Sequence, residues 1–189
     1  APTARKVGLL LCLQLGLRIG EVCGLQWGDF DLENKTLTIQ RTVQRIVLPG
    51  GGTRLAIQTP KTRNSLRQLP LPARLCSLLQ TVRKALPDTA WVLTGSTRKP
   101  AEPRNFRRSI RVYLLRAQVP PVHPHALRHT FATLALQAGC DIKTLSELLG
   151  HSNAAVTLQR YVHTSLNQKR LEMRRVFSAC FAPKGSVKG

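Results

Sequence analysis

The chain has 189 residues, with 29 lysines and arginines against nine acids, a net charge of +20 and 42% hydrophobic residues. That apolar fraction is ample for a buried core in one domain and excludes intrinsic disorder. A positive excess of this size opposes compaction unless something anionic shares the surface, so the expected partner is nucleic acid and, in second place, an acidic membrane. The five cysteines (Cys12, Cys23, Cys76, Cys140, Cys180) are odd in number, scattered and without a C-x-x-C pair, which argues for reduced, mostly buried thiols.

In chain order, a helix is expected over 3–16. Its run VGLLLCLQLGL at 7–17 follows Arg5 and Lys6 like the core of a signal peptide, but it is too short to span a bilayer, ends in Arg18 and Glu21, and lacks an A-x-A-like cleavage site. It is apolar on nearly every face and reads as a helix sealed inside the domain. A helix over 19–26 follows. Three antiparallel strands are expected at 36–41 (extending toward 47), 55–59 and 67–71, with Pro49-Gly50-Gly51-Gly52 as a hairpin tip and a polar turn at 60–65. The remainder reads as helices over 73–84, 103–116, 125–138, 142–149, 153–162 and 166–177. Pro124, Asp141 and Asn153 stand at helix starts, and Gly139 and Gly150 at stops. The fold class is α+β, mainly helical with a small three-stranded antiparallel sheet.

No acid occurs between Glu33 and Asp88, where ten basic residues fall, and a second basic cluster runs from Arg98 to Arg111. Acid-poor stretches of this length suit a phosphate backbone. A phosphodiester substrate requires a nucleophile, an acid, a base and fixed cations. Only Tyr113 and Tyr161 supply phenols. His125 and Arg128 stand three apart and share a helix face near its N-terminal end. Arg18 at the edge of an apolar helix needs a partner, and Glu21, three residues on, can pair with it and orient it toward a phosphate oxygen. His125 and His129 stand four apart without an acid between them, which disfavours a metal site.

The segments GLRIGEVCGLQWGDFD (16–31), TPKTRNSLRQLPL (59–71), HALRHTFAT (125–133) and LGHSNAAVTLQRY (149–161), taken in this order, resemble the catalytic domain of the tyrosine recombinases, or phage-type integrases, over about residues 3–165. The likeness is strongest to integrases of phages and conjugative transposons. It implies that Arg18 and Arg128 grip the scissile phosphate, that Lys61 protonates the departing 5′ oxygen, and that His125 accepts or relays the tyrosine proton. It also implies that His151 donates a hydrogen bond to the phosphate and that Tyr161 is the nucleophile, with Glu21 in support.

The implied activity is site-specific recombination of double-stranded DNA through a 3′-phosphotyrosine, with no metal, ATP or other cofactor. A type IB topoisomerase-like relaxation and a non-catalytic DNA-binding module with the same fold are the alternatives. Candidate phosphate contacts are Arg63, Arg67, Arg104, Arg107 and Arg108. The expected organisation is a catalytic domain over 1–165 and a C-terminal helix and tail over 166–189 that either docks on a neighbouring subunit or completes its own core. The resemblance further implies N-terminal core-binding and arm-binding domains outside this chain. The full-length protein would then act as a homotetramer on DNA, with an accessory directionality factor, in the bacterial cytoplasm at the nucleoid and not at a membrane. The fragment alone would be a monomer that binds DNA weakly, with little sequence preference.

Overall fold

A computed structural model describes residues 2–59, 66–120 and 122–151, with Asn153, Ala155, Thr157, Arg170, Met173 and Arg174 beyond them. The apolar segment near the start forms α1 (Ala4–Gln14), capped by the Thr3 hydroxyl, which accepts the Lys6 N–H. Because α1 is apolar on nearly every face, it is packed by four helices from later in the chain, and Val7, Leu11 and Cys12 are buried. The Val7 and Leu11 side chains each contribute about 1.5–3 kcal/mol by leaving water.

Helix α2 (Ile19–Cys23) is shorter than the expected 19–26. Gly24 closes it by donating to the carbonyls of Gly20 and Glu21, and the chain then turns extended into a 3-10 turn at Trp27–Asp29. Gly24 and Gly28 are poor helix formers, and the Asp29 carboxylate ties down the Gln26 N–H at 2.8 Å.

The strands differ from expectation in pairing. The predicted strand from 36 toward 47 breaks at Gln40-Arg41 into β2 (Thr36–Ile39) and β3 (Thr42–Val47). Strand β2 lies between β1 (Phe30–Asp31) and β5 (Arg67–Pro70), all antiparallel, while β3 pairs with β4 (Thr53–Gln58) in a separate hairpin closed at Gly50–Gly52. The break has a physical anchor: Arg41 turns back to make a two-pronged ion pair with the buried Asp29 and also reaches the Gly24 carbonyl. The three-stranded sheet therefore buries Leu37, Ile39 and Leu69 against the helical core, and the hairpin projects with Val47 and Ile57 exposed.

Helices α3 (Ala73–Arg83), α4 (Pro103–Arg116), α5 (Pro124–Gln137) and α6 (Ile142–Leu149) match their expected spans closely. Proline opens α4 and α5, where its missing N–H is harmless. Asp141 caps α6 by accepting the Thr144 N–H at 2.9 Å, and Gly150 ends it in the left-handed region at φ 64°. Leu145 and Leu149 anchor α6 in a small core with Ala132 and Phe131 of α5. The helices expected over 153–162 and 166–177 lie, save for single positions, outside the described residues. Among the described residues no helix is long and apolar enough to cross a membrane.

Candidate active site

The site is built where the end of α1, the start of α2, the start of α5 and the end of α6 converge. Arg18 is the residue before α2, and its pairing with Glu21 is present: the Arg18 backbone N–H donates to Glu21 Oε2 at 2.8 Å and Nη1 donates to Oε1 at 2.8 Å. Its Nη2 reaches the Gly150 carbonyl at 3.2 Å. The Arg18 side chain is nevertheless 37% exposed, so the guanidinium is held from behind and open in front.

Glu21 is buried and serves two arginines. Arg67 on β5 donates through Nη1 and Nη2 to the two Glu21 oxygens at 3.0 and 3.1 Å, and through Nε to the Leu148 carbonyl at 2.8 Å. Burial pushes the Glu21 carboxyl pKa up, but the Arg67 hydrogen bonds and charge, followed by the Arg18 charge and N–H, outweigh it. The group is held below its ordinary value of 4.5. Arg67 therefore corrects an expectation: at 6% side-chain exposure it faces Glu21 and the end of α6, not a phosphate-facing surface. A hydrogen-bonded partner for a buried carboxylate is a stronger demand than a solvated basic face.

Arg128, on the first turns of α5, is buried, and its Nη1 and Nη2 donate to the carbonyls of Gly16 at 2.8 Å and Leu149 at 2.6 Å. Gly16 can offer that carbonyl because it turns at φ 64°, where a Cβ would also meet Phe131 at 2.6 Å and Leu149 at 2.9 Å. His125 lies one turn before Arg128 and is exposed; its ring stacks on that of His123 with centroids 5.3 Å apart. A small pocket is lined by Leu17, Arg18, Ile19, Arg107, His123, Pro124, His125 and Arg128. It unites Arg18, His125 and Arg128, three of the six expected catalytic residues, from positions more than a hundred residues apart in sequence. His151 is buried just past α6, its Nδ1 2.8 Å from the Thr157 hydroxyl. Its backbone N–H donates to the Ser146 carbonyl, which fixes it to the end of that helix.

Lys61, Tyr161 and Arg63 lie outside the described residues. Arg104, Arg107 and Arg108 are exposed on α4, and of these Arg107 joins the pocket. Sequence reasoning missed the acceptors: the carbonyls of Gly16, Leu148, Leu149 and Gly150, and the Thr157 hydroxyl. Only the glycines at 16 and 150 signalled them, as places where the backbone turns. Cys12, Cys23 and Cys76 are buried free thiols as expected, Cys140 is half-buried, and burial with Glu21 nearby pushes Cys12 up to about 12.

Known proteins resemble this chain along most of its length. The phage integrase family profile matches residues 1–168. A tyrosine recombinase XerC-like protein of Caldanaerobacter subterraneus subsp. tengcongensis is 36% identical over 182 residues, covering 87% of this chain and 46% of that protein. The transposase from transposon Tn916 of Enterococcus faecalis is 29% identical over 190 residues, covering 89% of this chain and 44% of that protein. The Tn1549 transposon integrase, solved in complex with transposon right end DNA, superposes with a TM-score of 0.71 at 29% identity, covering 91% of this chain and 58% of that one. The chain thus spans less than half the length of the two curated relatives. On the strength of the match along nearly its whole length, the chain belongs to the phage integrase family of tyrosine recombinases.

Proposed function

We propose that this chain carries the chemistry of a site-specific recombinase that cleaves and rejoins double-stranded DNA at the ends of a mobile element. The observation that carries the reading is the convergence of Arg18, His125 and Arg128 on one pocket, with both guanidinia braced by backbone carbonyls. A phosphodiester gains negative charge as it becomes pentacoordinate, and donors already fixed in place need no reorganisation at that moment. Arg18 and Arg128 neutralise the non-bridging oxygens. His151 donates a hydrogen bond to the same phosphate.

Tyr161 is assigned as the nucleophile. Its oxygen bonds to phosphorus as the bond to the 5′ oxygen breaks, its proton passes to His125, and Lys61 protonates the departing 5′ oxygen to leave a 5′ hydroxyl. A phenol with a reference pKa of ~10 needs such a base and local positive charge to attack near neutral pH. The phosphotyrosine keeps the bond energy, and a 5′ hydroxyl from another strand reverses the step. Arg104, Arg107 and Arg108 on α4 contact neighbouring phosphates. The likeness to the Tn1549 integrase, whose structure contains transposon-end DNA, supports a DNA partner for this chain. Assembly as a homotetramer with further domains, the directionality factor and action at the bacterial nucleoid belong to the same reading.

The test is a nicked duplex whose short 5′-hydroxyl product diffuses away and traps any covalent adduct. The expected result is one adduct, mapped to Tyr161 and abolished in Y161F. An adduct that survives Y161F, or maps to Tyr113, overturns the nucleophile. DNA binding without any adduct favours the non-catalytic module. Relaxation of supercoils without strand exchange between duplexes favours the topoisomerase.

A further inference from the structure

The last two residues of α6 and its Gly150 cap act as a collecting point for arginines. Consecutive carbonyls at Leu148, Leu149 and Gly150 accept from Arg67, Arg128 and Arg18 respectively, at 2.8, 2.6 and 3.2 Å. A helix C-terminus leaves its final carbonyls without intrahelical partners and carries the negative end of the helix dipole, so it suits cations. Gly150 ends the helix in the left-handed region at φ 64°, ahead of His151.

Two of those arginines, Arg18 and Arg128, line the pocket. Arg67 does not; it lies behind, 6% exposed, with three donors committed to Glu21 and Leu148. Glu21 in turn is the carboxylate that holds the Arg18 head and its backbone N–H. One carboxylate thus lies between two guanidinia, and its position is set by the planar fork of Arg67 on one side and Arg18 on the other. Without Arg67, Glu21 keeps a single guanidinium partner among the described residues and is free to rotate toward it. The Leu148 carbonyl also loses its link to β5.

We propose that Arg67 is a positioning residue for strand cleavage. By clamping Glu21 to the end of α6, it sets the orientation in which Arg18 meets the scissile phosphate, and it makes no contact with DNA itself. The assignment rests on the recombinase reading above. A lysine keeps the charge at 67 but cannot reproduce the two-pronged grip together with the third bond to Leu148. A misplacement of about 1 Å in a group aligned on a reacting centre lowers rates by about 10²-fold.

The experiment measures single-turnover cleavage of the nicked duplex at saturating DNA for the wild type, R67K, R18A and the double variant. Alongside it run DNA affinity, thermal unfolding, and the guanidinium NMR signals of Arg18 in the DNA-free protein. R67K should cleave ~10²-fold more slowly with DNA affinity and its salt dependence unchanged, and it should broaden or shift the Arg18 signals. In the R18A background R67K should cost nothing further, because the route through Arg18 is already lost; a merely structural role would make the two losses multiply. E21Q, which keeps the side-chain volume and removes the charge, should reproduce the R67K loss and also be insensitive to it.

Wild-type cleavage by R67K, multiplying losses, or failure of R67K to fold overturns the assignment. A drop in affinity with a salt slope smaller by about one makes Arg67 a phosphate contact instead and overturns it equally. If the wild type forms no adduct at all, the recombinase reading fails. In that case the Arg18 signals still decide whether Arg67 orients Arg18.

Discussion

At the scale of single residues, the decisive feature is a buried carboxylate shared by two arginines. Glu21 offers two oxygens, and these accept from the Arg18 side chain, the Arg18 backbone and both terminal nitrogens of Arg67. Burying a charge is costly unless it is paired and hydrogen-bonded, and here it is both. Its depressed pKa has a consequence for stability. The stabilisation is fully present above the ordinary value of 4.5 and is lost as pH falls below it toward the lower folded-state value. Thermal midpoints measured between about pH 6 and pH 3 should therefore decline, and E21Q should be less stable near neutrality with a shallower acid decline. An acid limb of the same steepness in E21Q would assign the loss to other carboxylates.

At the scale of elements, α6 is short, and its influence lies in how it ends. Leu145 and Leu149 fix it to α5, while its cap presents carbonyls to arginines from three other parts of the chain. Gly150 makes this possible by occupying the left-handed region, where a side chain costs about 1–2 kcal/mol. G150A is thus expected to lower unfolding stability by about that amount in urea titration and to slow cleavage of the nicked duplex through displaced Arg18 and His151. Unchanged stability and unchanged cleavage would show that the cap tolerates another geometry. The hairpin β3–β4 shows the contrasting case: Arg45 pairs with Glu102 at the start of α4 and holds Glu102 below its ordinary carboxylate range, but the hairpin faces stay largely open.

At the scale of the whole molecule, a net charge of +20 leaves nine acids, several of them held in ion pairs with arginines. Glu21, Asp29 and Glu102 are each committed to arginines, while Arg104, Arg107, Arg108 and Arg111 stand exposed along one helix beside the pocket. On the proposed reading, such a surface would meet duplex DNA mainly through phosphates and released counterions. Affinity for this chain should fall by about 10³-fold or more between ~50 and ~200 mM salt, with little dependence on sequence, when followed by fluorescence anisotropy. Tight binding that persists through that range would indicate base-specific recognition by this chain.

Much of this was legible in one dimension. The sealed helix α1, the spans of α3 to α6, the caps at Asp141 and Gly150, and the Arg18–Glu21 pair all follow from local rules, because periodicity, capping and i to i+3 spacing act over a few residues. The partners of Arg67 and Arg128, and the split of one expected strand at Arg41, did not follow. Each depends on an acceptor contributed from far along the chain: Glu21 to Arg67, Gly16 to Arg128, Asp29 to Arg41. Arginine has no local signature that tells a phosphate ligand from a buried brace, since the same fork serves both. Local rules in the sequence were enough for α1 and α3 to α6, for the family, and for which residue types stand ready for phosphate chemistry. Which guanidinia face outward and which hold the others in place was settled by the folded chain, because backbone carbonyls acquire that role through where the fold puts them.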